Sequence, residues 1–247
     1  MNAQKRTYGV LLRVYTPKPE EVEGRVERAI KHIRQILAVS KEFPALRRVM
    51  ILVPLDHDCK QTCQALLDRL ELDGLSDHVE VYMPPGYHSC EVLNWGLAEL
   101  STNISHALIV SGKAVQYLTR DAMLAIDKAF DGGAKVAGLA VDELRDQVLA
   151  GRISNTFAVW DIRALFQSGR FDSLIDVEEI SLLIRMARMF GKCIAPIDVA
   201  HGTFDLHATA TARERHEHVI RTKIERQIAE CKRLGADFGF IQRSVMD

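Results

Sequence analysis

The chain has 247 residues, 47% of them apolar and 26% charged, which suits one large α/β domain or a domain with an appendage. Its 32 basic and 33 acidic residues leave a formal net charge of -1, so the charge balance makes no case for nucleic acid or an anionic membrane surface as partner. No apolar run is long enough to span a bilayer, and the opening stretch to Thr16 lacks the long apolar segment of an export signal, so the expected location is cytoplasmic.

Tyr8 to Tyr15 reads as a first strand, ended by Thr16, Pro17, Lys18 and Pro19. A helix follows, with Val22, Val26, Ile30, Ile33 and Leu37 at helical spacing and Glu20 and Glu21 at the end where the dipole favours acids. Arg48 to Leu55 is apolar enough for a second strand buried on both faces, and Asp58 can cap a helix through Leu70. Val79 to Met83 is a third strand, broken by Pro84, Pro85 and Gly86, and Ser89 starts a helix to Leu100. His106 to Val110 is a fourth strand. Thr119 caps a helix that stops at Gly132 and Gly133, and Ala134 to Leu139 is a fifth strand. Strands alternating with helices imply a mostly parallel sheet covered by helices on both faces.

The stretch from Ile153 to Pro196 holds the most suggestive pattern. A strand from Thr156 to Trp160 leads into a short helix from Asp161, a loop closed by Ser168, Gly169 and Phe171, and then a second helix opened by Glu178 and Glu179. Along that helix Ile180, Leu183, Ile184, Ala187 and Phe190 share one stripe, while Glu178, Ser181, Arg185, Arg188 and Lys192 share another. Two acids in the first turn stay ionised near the positive end of the dipole and project beyond the helix end, as a general base should. On spacing alone they are first of all ordinary charges complementing that dipole, since acids are common there.

Five cysteines, an odd and scattered set, read as free thiols; His57, Cys59 and Cys63 match no common zinc spacing and lack a fourth ligand. From Thr209 to Leu234 a charged helix carries Ile220, Ile224, Ile228 and Cys231 on one narrow stripe and ends at Gly235. That stripe suits packing along the domain, or against the same helix of a second copy in a homo-oligomer, and is too narrow for a membrane-surface helix. The expected division is a domain over 1–205 and a C-terminal helical extension over 206–247.

In sheets of this kind ligands bind beyond the carboxyl ends of the strands, here after Tyr15, Leu55, Met83 and Val110. None of these loops is a GxGxxG or GxxxxGK[ST] phosphate cradle. The order of parts from Tyr8 to His201 does, however, resemble the GT-A fold of the family 2 glycosyltransferases. Gly86 is followed by Asn94, Trp95 and Gly96, where the family has a glycine and then Asn-x-Gly on a helix near the donor. Asn155, then Gly169, Phe171 and Asp172, then Glu178, Glu179, Leu182 and Arg185, then Gly191, follow the order of the family's late motifs, with Glu179 at the place of its catalytic Asp.

The resemblance implies sugar transfer from a nucleotide-sugar donor to an unidentified acceptor hydroxyl, usually with inversion. It implies Glu179 as general base with Glu178 beside it, and a donor site drawn from Thr16, Asp56, Asn94, Gly96, Ser111, Lys113 and His201. Trp95 either stacks on the ligand or packs in the core. The family's Asp-x-Asp, which holds a magnesium or manganese ion, is replaced by Ser111, Gly112, Lys113 and Ala114. No metal ligand is therefore assigned, and a divalent ion would need other carboxylates, such as Asp142 or Asp198. Lys113 is the cation expected to face the leaving diphosphate instead. The competing expectation is a fold relative that binds without turnover, and a nucleotidyltransferase is disfavoured because no glycine-rich loop follows Tyr15.

Overall fold

The computed structural model describes residues 5–14, 19–55, 57–85, 90–140, 153–172, 178–197, 222, 225–237 and 239–246. Seven strands form one sheet: β1 (Tyr8–Arg13), β2 (Leu46–Leu52), β3 (Glu80–Tyr82), β4 (His106–Val110), β5 (Val136–Ala140), β6 (Ile153–Asp161) and β7 (Ile194–Ile197). Their order is β3-β2-β1-β4-β6-β5-β7. All run parallel except β6, which lies antiparallel between β4 and β5.

The helices divide by face. On one side α1 (Val22–Glu42), α2 (His57–Leu72) and α4 (Arg120–Asp131) cover side chains such as Leu12, Ile51, Leu108 and Phe157. On the other, α3 (Cys90–Leu100), α5 (Ile162–Gln167) and α6 (Glu178–Phe190) cover Leu11, Met50, Ile109 and Trp160. Alternate residues of each strand feed opposite layers, so the central strands are apolar on both faces. Thr119 caps α4 as expected, its Oγ1 accepting from the Ala122 N–H at 3.1 Å. A Cβ at Gly96 would stand 2.8 Å from Leu52 Cδ1, so glycine is what lets α3 lie this close to the sheet.

Several boundaries differ from expectation. The second strand is shifted to Leu46–Leu52, and the third shrinks to three residues because only Glu80 to Tyr82 find ladder partners on β2. The fifth strand begins at Val136, since Ala134 N–H closes the turn after α4 by donating to Ala129 O. Helix α2 begins at His57, which puts Asp58 in its first turn rather than at its cap. Cys59 and Cys63 do share a face of α2, and both are buried in the core. The direction of β6 was not read from the sequence: the chain leaves β5 at the carboxyl edge and re-enters at that same edge, so the strand must run back.

The C-terminal segment lies on α6. Helix α7, described over 225–233, buries Gln227, Glu230 and Cys231, and Gly235 at φ 63° ends it. Of the expected stripe only Cys231 is buried, Ile228 is partly covered, and the side chains of Ile220 and Ile224 lie outside the described residues. The Ser181 hydroxyl donates to Glu230 Oε1 at 2.6 Å, and Arg188 donates to Leu234 O. Ser181 is thus buried despite its place on the polar stripe of α6. Beyond it, α8 (Phe240–Arg243) leads to a parallel bridge between Val245 and Ile194, which covers the outer edge of β7.

Candidate functional site

The carboxyl edge of the sheet gathers the candidate groups from two neighbouring strands. Where β4 ends, Ser111 N–H donates to Thr156 O at 2.9 Å, and the chain turns into a 3-10 helix over Gly112–Tyr117. Helix α1 holds this turn in two places. Gln35 donates to Val115 O at 2.8 Å, and a Cβ at Gly112 would come within 2.7 Å of His32 Cε1, so the imidazole lies directly on the glycine backbone. Ala114, Val115 and Tyr117 point inward and are buried. Lys113 points outward, with no ion pair among the described residues.

Beside this turn, β6 is bulged. Gly138 pairs with Ala158 but Ala140 pairs with Ile153, so β6 spends extra residues against β5. The bulge pushes Phe157 O across Gly138, where any Cβ would come within 2.3 Å of that oxygen. Asn155 lies in the bulged stretch, and its backbone N–H donates to Glu179 Oε1 at 3.2 Å. Glu179 is only 2% exposed. The first turn of α6 therefore does not project its second acid beyond the helix end; it turns Glu179 inward onto the irregular part of β6.

Asn155 extends the arrangement. Trp160 Nε1 donates to Asn155 Oδ1 at 3.0 Å, and an indole N–H can only donate, which fixes the orientation of the amide. Asn155 Nδ2 is left buried with no hydrogen-bond partner among the described residues. The Trp160 ring stands edge-on to Phe171, with centroids 5.3 Å apart. Phe171 is clamped from α3: its N–H donates to Asn94 Oδ1 at 3.1 Å, and Asn94 Nδ2 donates to its carbonyl at 2.9 Å.

From α6, Arg185 donates to Ser168 O at 2.7 Å and Arg170 O at 2.5 Å, holding a loop in which Gly169 and Arg170 both have positive φ. Asp172 lies 3.9 Å from Arg185 and 4.0 Å from Arg233, which also pairs with the buried Glu230. That guanidinium holds the Glu230 carboxyl below its usual range.

The expected donor-site residues separate accordingly. Ser111, Lys113 and Glu179 lie at the carboxyl edge. Asn94 engages both ends of its amide with Phe171, Gly96 serves helix packing, and Trp95 packs against Tyr82 with ring centroids 5.0 Å apart. Thr16, Asp56, His201 and the Glu178 side chain lie outside the described residues. A hydroxyl, a bare glycine and an ammonium at the β4 turn are not the oxygen-rich donor set that magnesium or manganese requires, and the described residues hold no cluster of three metal-ligating side chains. Sequence reasoning did not find His32, Gln35 or the roles of Asn155 and Arg185. Only the absence of a side chain at Gly112 could have signalled that something approaches it closely.

No family model matches the chain, and no curated protein matches it. Solved structures do. A mannosyltransferase from Pyrobaculum calidifontis, in complex with GDP-Man and Mn2+, superposes with a TM-score of 0.59 at 15% identity, covering 97% of this chain and 73% of that one. A cytidylyltransferase from Leptospira borgpetersenii serovar Hardjo-bovis (strain JB197) superposes with a TM-score of 0.52 at 13% identity, covering 98% of this chain and 100% of that one. With its seven-stranded, mostly parallel sheet flanked by helices, the chain has the GT-A-like fold of nucleotide-diphospho-sugar transferases.

Proposed function

We propose that the protein is a glycosyltransferase that moves a sugar from a nucleotide-sugar donor to an acceptor hydroxyl with inversion. The observation that carries this reading is Glu179, an acid fixed by the Asn155 N–H at the carboxyl edge of a GT-A-like sheet, one strand away from the outward-pointing Lys113. In a single displacement Glu179 takes the proton of the acceptor hydroxyl, and the oxygen attacks the anomeric carbon. The bond to the diphosphate breaks, and that group leaves with the electron pair. Lys113 faces the charge that develops there, with His201 as a second contact, while Glu178 positions its neighbour. Thr16 and Asp56, after β1 and β2, complete the donor site in this reading. With no carboxylate pair on the β4 turn, nucleotide binding should depend little on magnesium or manganese.

The burial of Glu179 favours a second reading, in which the acid only completes the hydrogen bonding of the bulge and the protein binds nucleotide without turnover. Glu179→Gln separates the two. It keeps size and hydrogen-bonding shape but removes the proton-accepting charge, so turnover should fall about a hundredfold or more with little change in donor affinity. Release of free nucleotide from several donors, including slow hydrolysis to water, is the measurement. Nucleotide binding with no release by the unmodified protein would establish the second reading.

A further inference from the structure

The β4 turn meets helix α1 at a contact that the transfer reading leaves unused. His32 lies on the Gly112 backbone, half-buried, with one side reaching solvent. Glycine at 112 is the condition for that contact. On the same face of α1, one turn nearer the carboxyl edge, stands Arg28; a turn further on, Gly24 keeps the face low, its nearest neighbour being Arg28 itself. Arg28 and Lys113 are exposed and have no ion-pair partner among the described residues. The imidazole on the Gly112 backbone is thus flanked by Lys113, next in the turn, and by Arg28, one helical turn away on α1, with no described carboxylate paired to either cation.

We propose that His32, together with Lys113 and Arg28, binds a phosphate or diphosphate group against the β4 turn, and that the imidazole takes up a proton from solvent as the anion binds. The inference deepens the transferase reading and rests on it: part of the positive charge opposite the diphosphate is then supplied by a proton.

The electrostatics agree in sign. Burial, then Lys31 and then Arg28 hold His32 below its ordinary value, so the free protein carries it neutral near pH 7. The charges that act on the ring are those of Lys31 and Arg28 on its own helix, both cationic, and the exposed Lys113 follows Gly112 in the turn. A dianion placed among them reverses the sign of the local potential and draws the proton onto the ring, which can then donate a charge-assisted hydrogen bond. By linkage, anion affinity rises as pH falls through the pKa of the bound form and levels off below that of the free form.

The test is calorimetric titration of the full chain with inorganic pyrophosphate, UDP and GDP, in two buffers of different ionisation enthalpy, which counts protons taken up per ligand. Comparison with His32→Gln removes the ligand's own protonation from the count. The unmodified protein should take up more protons than His32→Gln and bind about tenfold more tightly at pH 6, the size of one charge-assisted hydrogen bond. Gly112→Ala, which crowds the ring, should reduce both differences.

Equal proton counts and equal affinities in the two proteins overturn the proposal, as does failure of all three ligands to bind. Nucleotide binding without proton linkage would leave the transferase reading standing and remove this one. Linked pyrophosphate binding without binding of UDP, GDP or any nucleotide sugar would uphold the anion site and remove the transferase reading.

Discussion

The two ends of the sheet treat charge in opposite ways. At the amino edge one network of ionic groups is paired and in part buried. Arg6 bridges Asp127 and Asp131 at 3.2 and 2.7 Å, and the Tyr8 hydroxyl donates to Asp127 at 2.5 Å. Lys135 pairs with Asp161, which also caps α5. His106 is packed between the rings of Tyr8 and Phe130. At the carboxyl edge, among the described residues, Lys113 and Arg28 are unpaired and Asn155 Nδ2 is buried without a partner, and β6 leaves its regular ladder. The amino-edge network is satisfied within the protein and contributes stability. The carboxyl edge holds cations and a donor that an added ligand would satisfy, which is the pattern expected where binding, not folding, sets the residues.

This contrast can be broken most directly at Asp127. Asp127→Ala strands the Tyr8 hydroxyl and removes one anion from Arg6, so unfolding free energy should fall by about 2 to 3 kcal/mol with nucleotide affinity unchanged. Urea titration alongside nucleotide calorimetry measures both, and a large loss of affinity would mean that the two ends are coupled.

An effect of similar size should come from His106, which burial drives down to about 4, with Asp161, Arg6, Asp127 and Lys135 as the surrounding charges. Its folded value lies below the unfolded one, so the unfolded chain binds more protons between pH 6.5 and 4. Stability is therefore full above pH 6.5 and is lost as pH falls toward 4, by about 2 to 3 kcal/mol. Urea titrations at pH 7, 5.5 and 4 should show the loss, and His106→Gln should flatten it. The same slope in the variant would assign the loss to the carboxylates.

The smallest expected change in stability, within about 0.5 kcal/mol, is at Lys113→Gln, an exposed position with no described ion pair. Affinity for nucleoside diphosphates should nevertheless fall measurably. A drop in stability without loss of affinity would place Lys113 with the structural charges.

The amino-acid sequence by itself determined the elements whose signals are local. The apolar positions of α1, the Thr119 cap, the glycines after α4 and the buried strand at His106 to Val110 each depend on residues a turn or two apart. It also placed a carboxylate pair at the start of α6 and a lysine after β4. Tertiary structure decided the direction of β6, the inward turn of Glu179, the burial of Ser181 beneath α7 and the seat of His32 on Gly112. The amide of Asn94 likewise reaches Phe171, 77 residues further along the chain. A periodic stripe records which side of a helix is apolar, but not which distant segment will cover its polar side. Nor can it show which backbone donor a bulge frees for a nearby acid. Those outcomes arise only when strands and helices far apart in the chain pack together and each buried polar group must find its partner.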